Sequence, residues 1–222
     1  MSAGQENRIN KVWVLPLTLL ALLLGITAYL LLLPGEKTSP DRLTTVSLES
    51  GTLIPRTRPM TPFALTDHRG RPFTQSSVQG HWRLLSFGYT HCPDICPTTL
   101  AMLARLDDQL RQQAPEIDIR TAFVSIDPER DTEEVLADYV PYFNPDFIGV
   151  TGSPPEIEKL TGQLGILFQR VDGENSEMGY LMDHSASIIL LNPQGEFQAV
   201  FGAPHQVNAM ARDLQTLVQQ HP

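Results

Sequence analysis

The chain contains two cysteines, Cys92 and Cys96, which lie four residues apart. An apolar, aromatic run, residues 83–89, precedes them, and Pro97 follows at a position typical of a first helical turn. At a helix N-terminus, unpaired N–H groups and the helix dipole favour the thiolate form of cysteine. Metal binding and disulfide exchange both require the thiolate, so the pair predicts one of these chemistries at a strand-to-helix junction. A small stabilising disulfide is the alternative.

Two thiolates are too few for a closed structural zinc site, which takes four ligands. They suit a soft metal such as Cu(I), especially when one imidazole is added. Among the six histidines, His184 is the candidate third ligand, because it precedes the apolar strand predicted over Ser187–Leu191. A capping or packing role for His184 remains open. The other histidines are interpreted as solvated residues: His68, His81, His91, His205 and His221.

The pattern beyond residue 60 alternates strands with helices. Strands are predicted over 63–66, 83–89, 117–126, 147–150, 166–171, 187–191 and 196–201, and helices over 97–113, 131–142, 153–165 and 207–219. The run Asp131–Glu134 is predicted to cap the second of these helices. Alternation of this kind indicates a mixed α/β sheet covered on both faces. A cysteine pair after an early strand fits a thioredoxin-like fold, in which the loop before Ser187 faces the pair.

The N-terminal part differs in composition. No charge occurs over the 22 residues of Val12–Leu33, which would span about 33 Å as a helix, enough for a bilayer. A cleavable signal peptide is the alternative, but its apolar region is shorter and ends in small residues. We therefore predict residues 1–11 as a cytoplasmic N-terminus, 12–33 as a transmembrane anchor, 34–60 as a linker and 61–222 as one domain.

Arg8 and Lys11 precede the apolar run, which favours a cytoplasmic N-terminus and places the domain in an oxidising compartment. No Arg- and Ser-rich presequence is found, so the expected location is a bacterial inner membrane, with a single span and a soluble periplasmic domain. Residues 41–222 carry 13 Lys and Arg against 23 Asp and Glu. This acidic balance argues against a nucleic-acid partner.

Three motifs resemble those of the Sco/SenC copper chaperones. They are Gly88–Pro97, Val124–Thr132 and Met182–Ser185, and they occur in the order and spacing of that family. The resemblance covers residues 60–220 and includes the N-terminal anchor.

The resemblance implies a thioredoxin-like fold that binds one copper through Cys92, Cys96 and His184. It also implies a role in building the dinuclear copper centre of cytochrome c oxidase subunit II. The donor set itself favours Cu(I), whereas Cu(II) would prefer a fourth ligand that the sequence does not identify. Another periplasmic copper carrier is a further expected partner. Asp127 corresponds to the acidic position linked to metal loading or partner contact, although it could equally be a turn residue.

The same residues would serve other functions. A thiol-disulfide oxidoreductase could reduce the oxidase copper-site cysteines through a mixed disulfide. A copper or redox sensor would use the same ligands without delivering metal. A peroxidase has the least support, because the spacing around Thr90 and Cys92 differs by one from the peroxiredoxin pattern and no proline leads it. Whether the chain is an enzyme therefore stays open.

Overall fold

The computed structural model describes residues 9–32, 47–172 and 179–220. The chain divides into two compact units, Met1–Thr45 and Val46–Pro222. The first contains helix α1, Ile9–Leu32. Within the described residues, no helix is both long enough and apolar enough to cross a membrane. The predicted anchor over 12–33 stays a prediction, and most of the predicted cytoplasmic segment and residues 34–46 of the predicted linker lie outside the described residues.

The second unit is built on an eight-stranded sheet and a separate two-stranded hairpin. The sheet has the order β1-β10-β9-β4-β5-β6-β2-β3, and β7 pairs with β8. The strands are β1 Gly51–Leu53, β2 Ala64–Asp67, β3 Pro72–Thr74, β4 Trp82–Gly88, β5 Ile119–Ser125, β6 Ile148–Thr151, β7 Phe168–Asp172, β8 Tyr180–His184, β9 Ile188–Leu191 and β10 Phe197–Phe201. The helices are α2 Ile95–Gln113, α3 Glu133–Phe143, α4 Pro154–Leu164 and α5 Val207–Gln220, with a 3-10 turn at Gln75–Val78.

Strand β4 lies at the centre of the sheet. It runs parallel to β5 on one side and antiparallel to β9 on the other. All seven of its residues are buried. A strand whose side chains are buried on both faces must be covered on both faces of the sheet. This confirms the predicted mixed α/β sheet.

Helix α2 follows β4 and carries an apolar stripe at helical spacing. Leu100, Leu103, Leu106 and Leu110 are all buried, as the periodicity predicts. The helix begins at Ile95, two residues earlier than predicted, so Cys96 lies in its first turn. The loop between the end of β4 and α2 is therefore only six residues long, 89–94.

The predicted linker over 34–60 contains strand β1, which is a correction. Gly51–Leu53 pairs antiparallel with β10 at the sheet edge. The strand is held there because the buried Asp213 carboxylate on α5 accepts from the backbone N–H groups of Glu49, Ser50 and Gly51, at 2.7, 2.8 and 3.0 Å. A three-residue strand fixed by a partner 162 residues away has no periodicity that sequence reasoning can detect.

The predicted loop around His184 is also corrected, because Tyr180–His184 forms strand β8. It pairs antiparallel with β7, and His184 lies opposite Phe168. Burial along β8 alternates between partly buried and exposed positions, so the strand has no continuous apolar run.

Candidate metal centre

The cysteine loop, residues 89–96, turns the chain from β4 into α2. The Cys92 backbone N–H donates to the Tyr89 carbonyl at 3.3 Å. The Cys96 backbone N–H points back at the Cys92 sulfur, with 3.4 Å between N and Sγ. Cys96 is 3% exposed, whereas Cys92 is partly exposed, and both thiols are free. The loop thus presents one accessible sulfur and one buried sulfur at the start of a helix.

Gly88 makes room for the buried sulfur. A Cβ atom at this position would lie 2.7 Å from Cys96 Sγ and 2.9 Å from Cε2 of Phe123. Cβ atoms do not approach other atoms so closely, so a larger residue would displace the sulfur or the ring. The glycine at the end of β4 is therefore part of the site's construction.

His184 completes a group of three ligand atoms. Its Nε2 lies 3.5 Å from Cys96 Sγ, and its Nδ1 lies 3.1 Å from the Ser185 carbonyl oxygen. When Nδ1–H donates to that carbonyl, the Nε2 lone pair faces the sulfurs, as a metal-binding histidine requires. The ligand atoms of Cys92, Cys96 and His184 all lie within 4.8 Å of one another. The structure thus brings together the three side chains that the sequence singled out.

Contacts among Cys92, Cys96 and His184 shift the pKa of each side chain. A hydrogen bond from the Cys96 thiol lowers the pKa of Cys92 to about 3 against the opposing effect of burial, with support from His184 and from the backbone N–H groups of Asp94 and Cys96. The same bond, together with burial, raises the pKa of Cys96. Burial lowers the pKa of His184, but its contacts with the Cys92 sulfur and the Ser185 carbonyl outweigh this, so the net pKa is raised. Cys92 is therefore a thiolate in the metal-free site, and a metal that binds both sulfurs must displace the Cys96 proton.

Asp131 holds the cysteine loop, a role that sequence reasoning missed. It is fully buried, and its carboxylate accepts from Thr90 N at 3.0 Å, Thr90 Oγ1 at 2.6 Å and Ser125 Oγ at 2.6 Å. Burial raises its pKa. Within the predicted capping run Asp131–Glu134, the residue that caps α3 is Thr132, whose side chain accepts from the Val135 N–H at 3.3 Å. The only signal in the sequence was the presence of Asp131 in the second family motif.

Asp127 is not part of the trio. It is 3% exposed, and both of its carboxylate oxygens are engaged, one by the Tyr180 hydroxyl at 2.7 Å and one by Arg130 Nε at 2.5 Å. Its backbone N–H donates to Ser125 Oγ at 3.0 Å. The predicted loading or partner role of Asp127 stays a prediction, and direct contact with a partner would require these bonds to open.

The remaining described histidines lie outside the trio. His68 was predicted to be solvated but is buried. Its Nδ1 accepts from the Gly149 N–H at 2.8 Å, which satisfies the ring nitrogen inside the protein. His205 is partly buried, with Nε2 2.9 Å from the Ala186 carbonyl oxygen. His91 is exposed beside Cys92, as expected, and His221 lies outside the described residues.

An open cleft of 430 Å³ adjoins His184. Its walls come from the β7–β8 hairpin: Leu167, Phe168, Gln169, Asp183 and Ser185. Leu167 is 76% exposed there, and Ile95, next to Cys96, is 47% exposed. The site therefore reaches the surface at His184 and at the partly exposed Cys92, and exposed apolar side chains lie beside both halves, Leu167 at the cleft and Ile95 next to Cys96.

Comparison with known proteins gives a family match over most of the chain. The family model described as SCO1/SenC matches residues 52–219. The protein named SCO1 homolog 1, mitochondrial, of Arabidopsis thaliana is 36% identical over 160 residues, which is 72% of this chain and 47% of that protein. The chain thus spans about half the length of that relative.

Solved structures extend the likeness to the fold. The crystal structure of Arabidopsis thaliana ScoI with copper bound has a TM-score of 0.69 and 34% identity, covering 73% of this chain and 99% of that one. Bradyrhizobium japonicum ScoI with copper bound has a TM-score of 0.62 and 34% identity, covering 72% and 99%. The family match over residues 52–219 and the 36% identity to the Arabidopsis protein show that the chain belongs to the SCO1/SenC family.

Proposed function

We propose that this protein is a copper chaperone that carries one copper ion on Cys92, Cys96 and His184 and supplies it to the dinuclear copper centre of cytochrome c oxidase subunit II. The observation that carries the proposal is the convergence of two sulfurs and one imidazole nitrogen within 4.8 Å. The copper-bound structures of the Arabidopsis and Bradyrhizobium proteins support copper as the metal.

The donor set fits Cu(I) as cargo. Two thiolates and one imidazole are soft or intermediate ligands, and three ligands suit Cu(I), whereas Cu(II) prefers a fourth in a more tetragonal arrangement. Among the described residues, no fourth Cys, His, Asp or Glu joins the trio. Loading removes the Cys96 proton, and the imidazole of His184 accepts the metal at Nε2 without losing its hydrogen bond to Ser185.

Release of the ion would occur by ligand exchange. Cys92 is the more exposed of the two sulfurs, and an open cleft adjoins His184. Acceptor thiols could replace one ligand at a time from this side, so that copper never becomes free. The exposed apolar side chains Leu167 and Ile95 would pack against the partner during exchange.

We further propose that residues 12–33 anchor the protein in a bacterial inner membrane, with the domain in the periplasm. The support is the uncharged run Val12–Leu33, together with Arg8 and Lys11 before it. An anchor would keep the copper site close to a membrane-bound oxidase.

One observation favours a second function, thiol-disulfide exchange. A low-pKa, accessible Cys92 beside a protonated, buried Cys96 has the arrangement of an attacking and a resolving thiol. The Cys92 thiolate would attack a partner disulfide to form a mixed disulfide. Cys96, after losing its proton, would then attack Cys92 and release the reduced partner, leaving a Cys92–Cys96 disulfide.

Copper binding by the reduced, detergent-solubilised full chain separates the two functions. We expect one Cu(I) per chain in a competition titration, with affinity lost in Cys92→Ser and Cys96→Ser. In His184→Ala the affinity should fall by at least about 100-fold, since loss of a ligand weakens a site more than the roughly 10- to 100-fold cost of losing an outer-shell partner. His81→Gln, at a histidine outside the trio, is the matched control and should bind as the wild type does. Unchanged affinity in His184→Ala, with disulfide exchange intact, would instead identify a reductase.

Delivery needs its own measurement. The copper-loaded chain is mixed with the metal-free, reduced copper domain of oxidase subunit II, and the copper content of each protein is measured after separation. Transfer from the wild type is expected. Retention of copper by a chain that otherwise binds one ion would favour the sensor alternative.

A further inference from the structure

Residues 127–131 connect the two halves of the copper site. We propose that this segment, named here the 127–131 tie, is a positioning device that holds the cysteine loop and the β7–β8 hairpin in register, so that His184 meets the sulfurs before metal arrives. The inference rests on the proposed copper site and assigns roles to Asp127, Arg130, Asp131 and Tyr180.

One end of the tie holds the cysteine loop. Asp131 accepts three hydrogen bonds, of which two come from Thr90, two residues before Cys92. Hydrogen bonds to a buried carboxylate are short and roughly twice as strong as neutral ones. Movement of the loop away from β5 would leave a buried charge without its donors, which is costly.

The other end holds the hairpin through Tyr180, the first residue of β8. The Tyr180 hydroxyl donates to Asp127 Oδ1 at 2.7 Å, and Arg130 Nη1 donates to the Tyr180 carbonyl at 3.1 Å. The Arg130 guanidinium carbon lies 3.7 Å from the centroid of the Tyr180 ring. Three different groups of one residue, its hydroxyl, ring and carbonyl, are thus fixed by the tie.

The hairpin needs such support. It has two strands and is not hydrogen-bonded into the eight-stranded sheet. An isolated two-stranded hairpin is marginally stable in water, so contacts outside its own strands must hold it. Phe168 and Met182 pack against the core, and Tyr180 is bound by the tie. Tyr180 and His184 are four residues apart in one strand, about 13 Å at 3.3 Å per residue, so fixing Tyr180 restricts the direction of the strand that carries His184.

The tie itself is compact. The N–H groups of Arg130 and Asp131 both donate to the Asp127 carbonyl, at 3.2 and 3.0 Å. Ser125 Oγ links its two ends, donating to Asp131 and accepting from the Asp127 N–H. A displacement of Asp131 would therefore also displace Asp127, since both are bonded to Ser125 Oγ and lie in one turn.

Arg130 also lies 5.5 Å from the centroid of the Tyr89 ring, and the Tyr89 ring meets the His184 ring edge-on at 6.3 Å between centroids. The guanidinium thus contacts aromatic rings from both the cysteine loop and the hairpin. Cation–π and edge-on aromatic contacts add to the hydrogen bonds that set the distance between the halves.

Tyr180→Phe tests the tie, because it removes one hydroxyl and keeps the ring. We expect about a tenfold loss of Cu(I) affinity in the wild-type background, typical of a residue that orients a ligand. In the His184→Ala background the same change should have no effect, because the ligand that Tyr180 positions is absent. Tyr142→Phe, at a tyrosine that is 84% exposed on α3, is the matched control. An equal loss in both backgrounds, or none in the wild type, would overturn the inference.

A metal-free measurement keeps the tie testable whatever the chain does with copper. Amide hydrogen exchange of reduced Tyr180→Phe should be faster in β7 and β8 and unchanged in β4 and β5. If that pattern appears while the wild type binds no copper, the tie stands and the proposed function fails. If hairpin exchange equals that of the wild type, the tie is wrong even if the trio binds copper.

Discussion

Cys96 belongs to the buried core, whereas His184 ends a two-stranded hairpin outside the main sheet. The sulfur half of the site follows β4, whose residues are all buried between two hydrogen-bonded neighbours. The histidine half stands on β8, none of whose residues is fully buried. A site built in this way combines a fixed pair of sulfurs with a third ligand on a hairpin that is held by the partly buried Phe168 and Met182 and by the polar contacts of Tyr180. A carrier that must both hold and release an ion can use that difference.

Hydrogen exchange should show the largest difference between the sulfur half and the histidine half of the site. Amides in central strands exchange only when the whole domain unfolds, whereas amides in a hairpin outside the sheet exchange through local opening at a much lower free energy. We expect protection in β4 to exceed that in β8 by on the order of a thousandfold in the metal-free protein. Copper loading should then slow exchange in β8 far more than in β4. Equal protection in the two strands would show that the hairpin is as firmly held as the core.

The reactivity of Cys92 tests the sulfur half. A thiol with an ordinary pKa of about 8.5 loses about tenfold in alkylation rate for each pH unit below that value. Cys92, with its pKa lowered to about 3 by the Cys96 hydrogen bond, should react with iodoacetamide at a constant rate between about pH 7 and pH 5. The difference from an ordinary thiol is about 100-fold over that range.

The matched variant is Cys96→Ala, which removes the hydrogen-bond donor. Its Cys92 should regain a rate that falls as pH falls, measured by mass spectrometry of the alkylated peptide. A wild-type rate that already falls tenfold per unit in this range would contradict the assigned thiolate.

Packing around the buried sulfur predicts a smaller effect. Gly88→Ala places a Cβ 2.7 Å from Cys96 Sγ, and overpacking of this kind costs about 1–3 kcal/mol of unfolding free energy. Gly162→Ala is the matched control, since it lies inside α4 with no heavy atom within 4 Å of the new Cβ. It should stabilise the domain by about 0.5–1 kcal/mol through helix propensity. Urea unfolding measures both changes, and a neutral Gly88→Ala would show that the sulfur half is looser than its burial indicates.

The same contrast explains what the sequence could predict. The sulfur half is local: an apolar strand, a cysteine pair and a leucine-spaced helix follow one another, so their order and chemistry are readable. His184 could be chosen from the motif Met182–Ser185. Its strand could not be predicted, because burial along β8 alternates between partly buried and exposed residues and neither face is fully buried.

The supports of the site could not be read because they join distant residues. Asp131 reaches Thr90 across 41 positions, and Tyr180 reaches Asp127 across 53. In the sequence, Asp131 is the first residue of the predicted capping run Asp131–Glu134, but the side chain that caps α3 is that of Thr132. A carboxylate's burial and its donors are properties of the folded sheet, so local spacing does not distinguish a cap from a tie.

The smallest predicted effect concerns Arg170, which covers the outer face of Tyr180. Its guanidinium carbon lies 3.7 Å from the ring centroid, and its side chain is 51% exposed, with ion pairs to Glu129 and Asp172 at 3.5 and 2.9 Å. Because exposed ion pairs are screened and the hairpin opens before the sheet unfolds, Arg170→Gln should leave the urea midpoint unchanged. It should still raise hydrogen exchange in β8 slightly. A lower midpoint would mean that the hairpin unfolds with the core, in which case the two halves of the site share one support and the contrast between them fails.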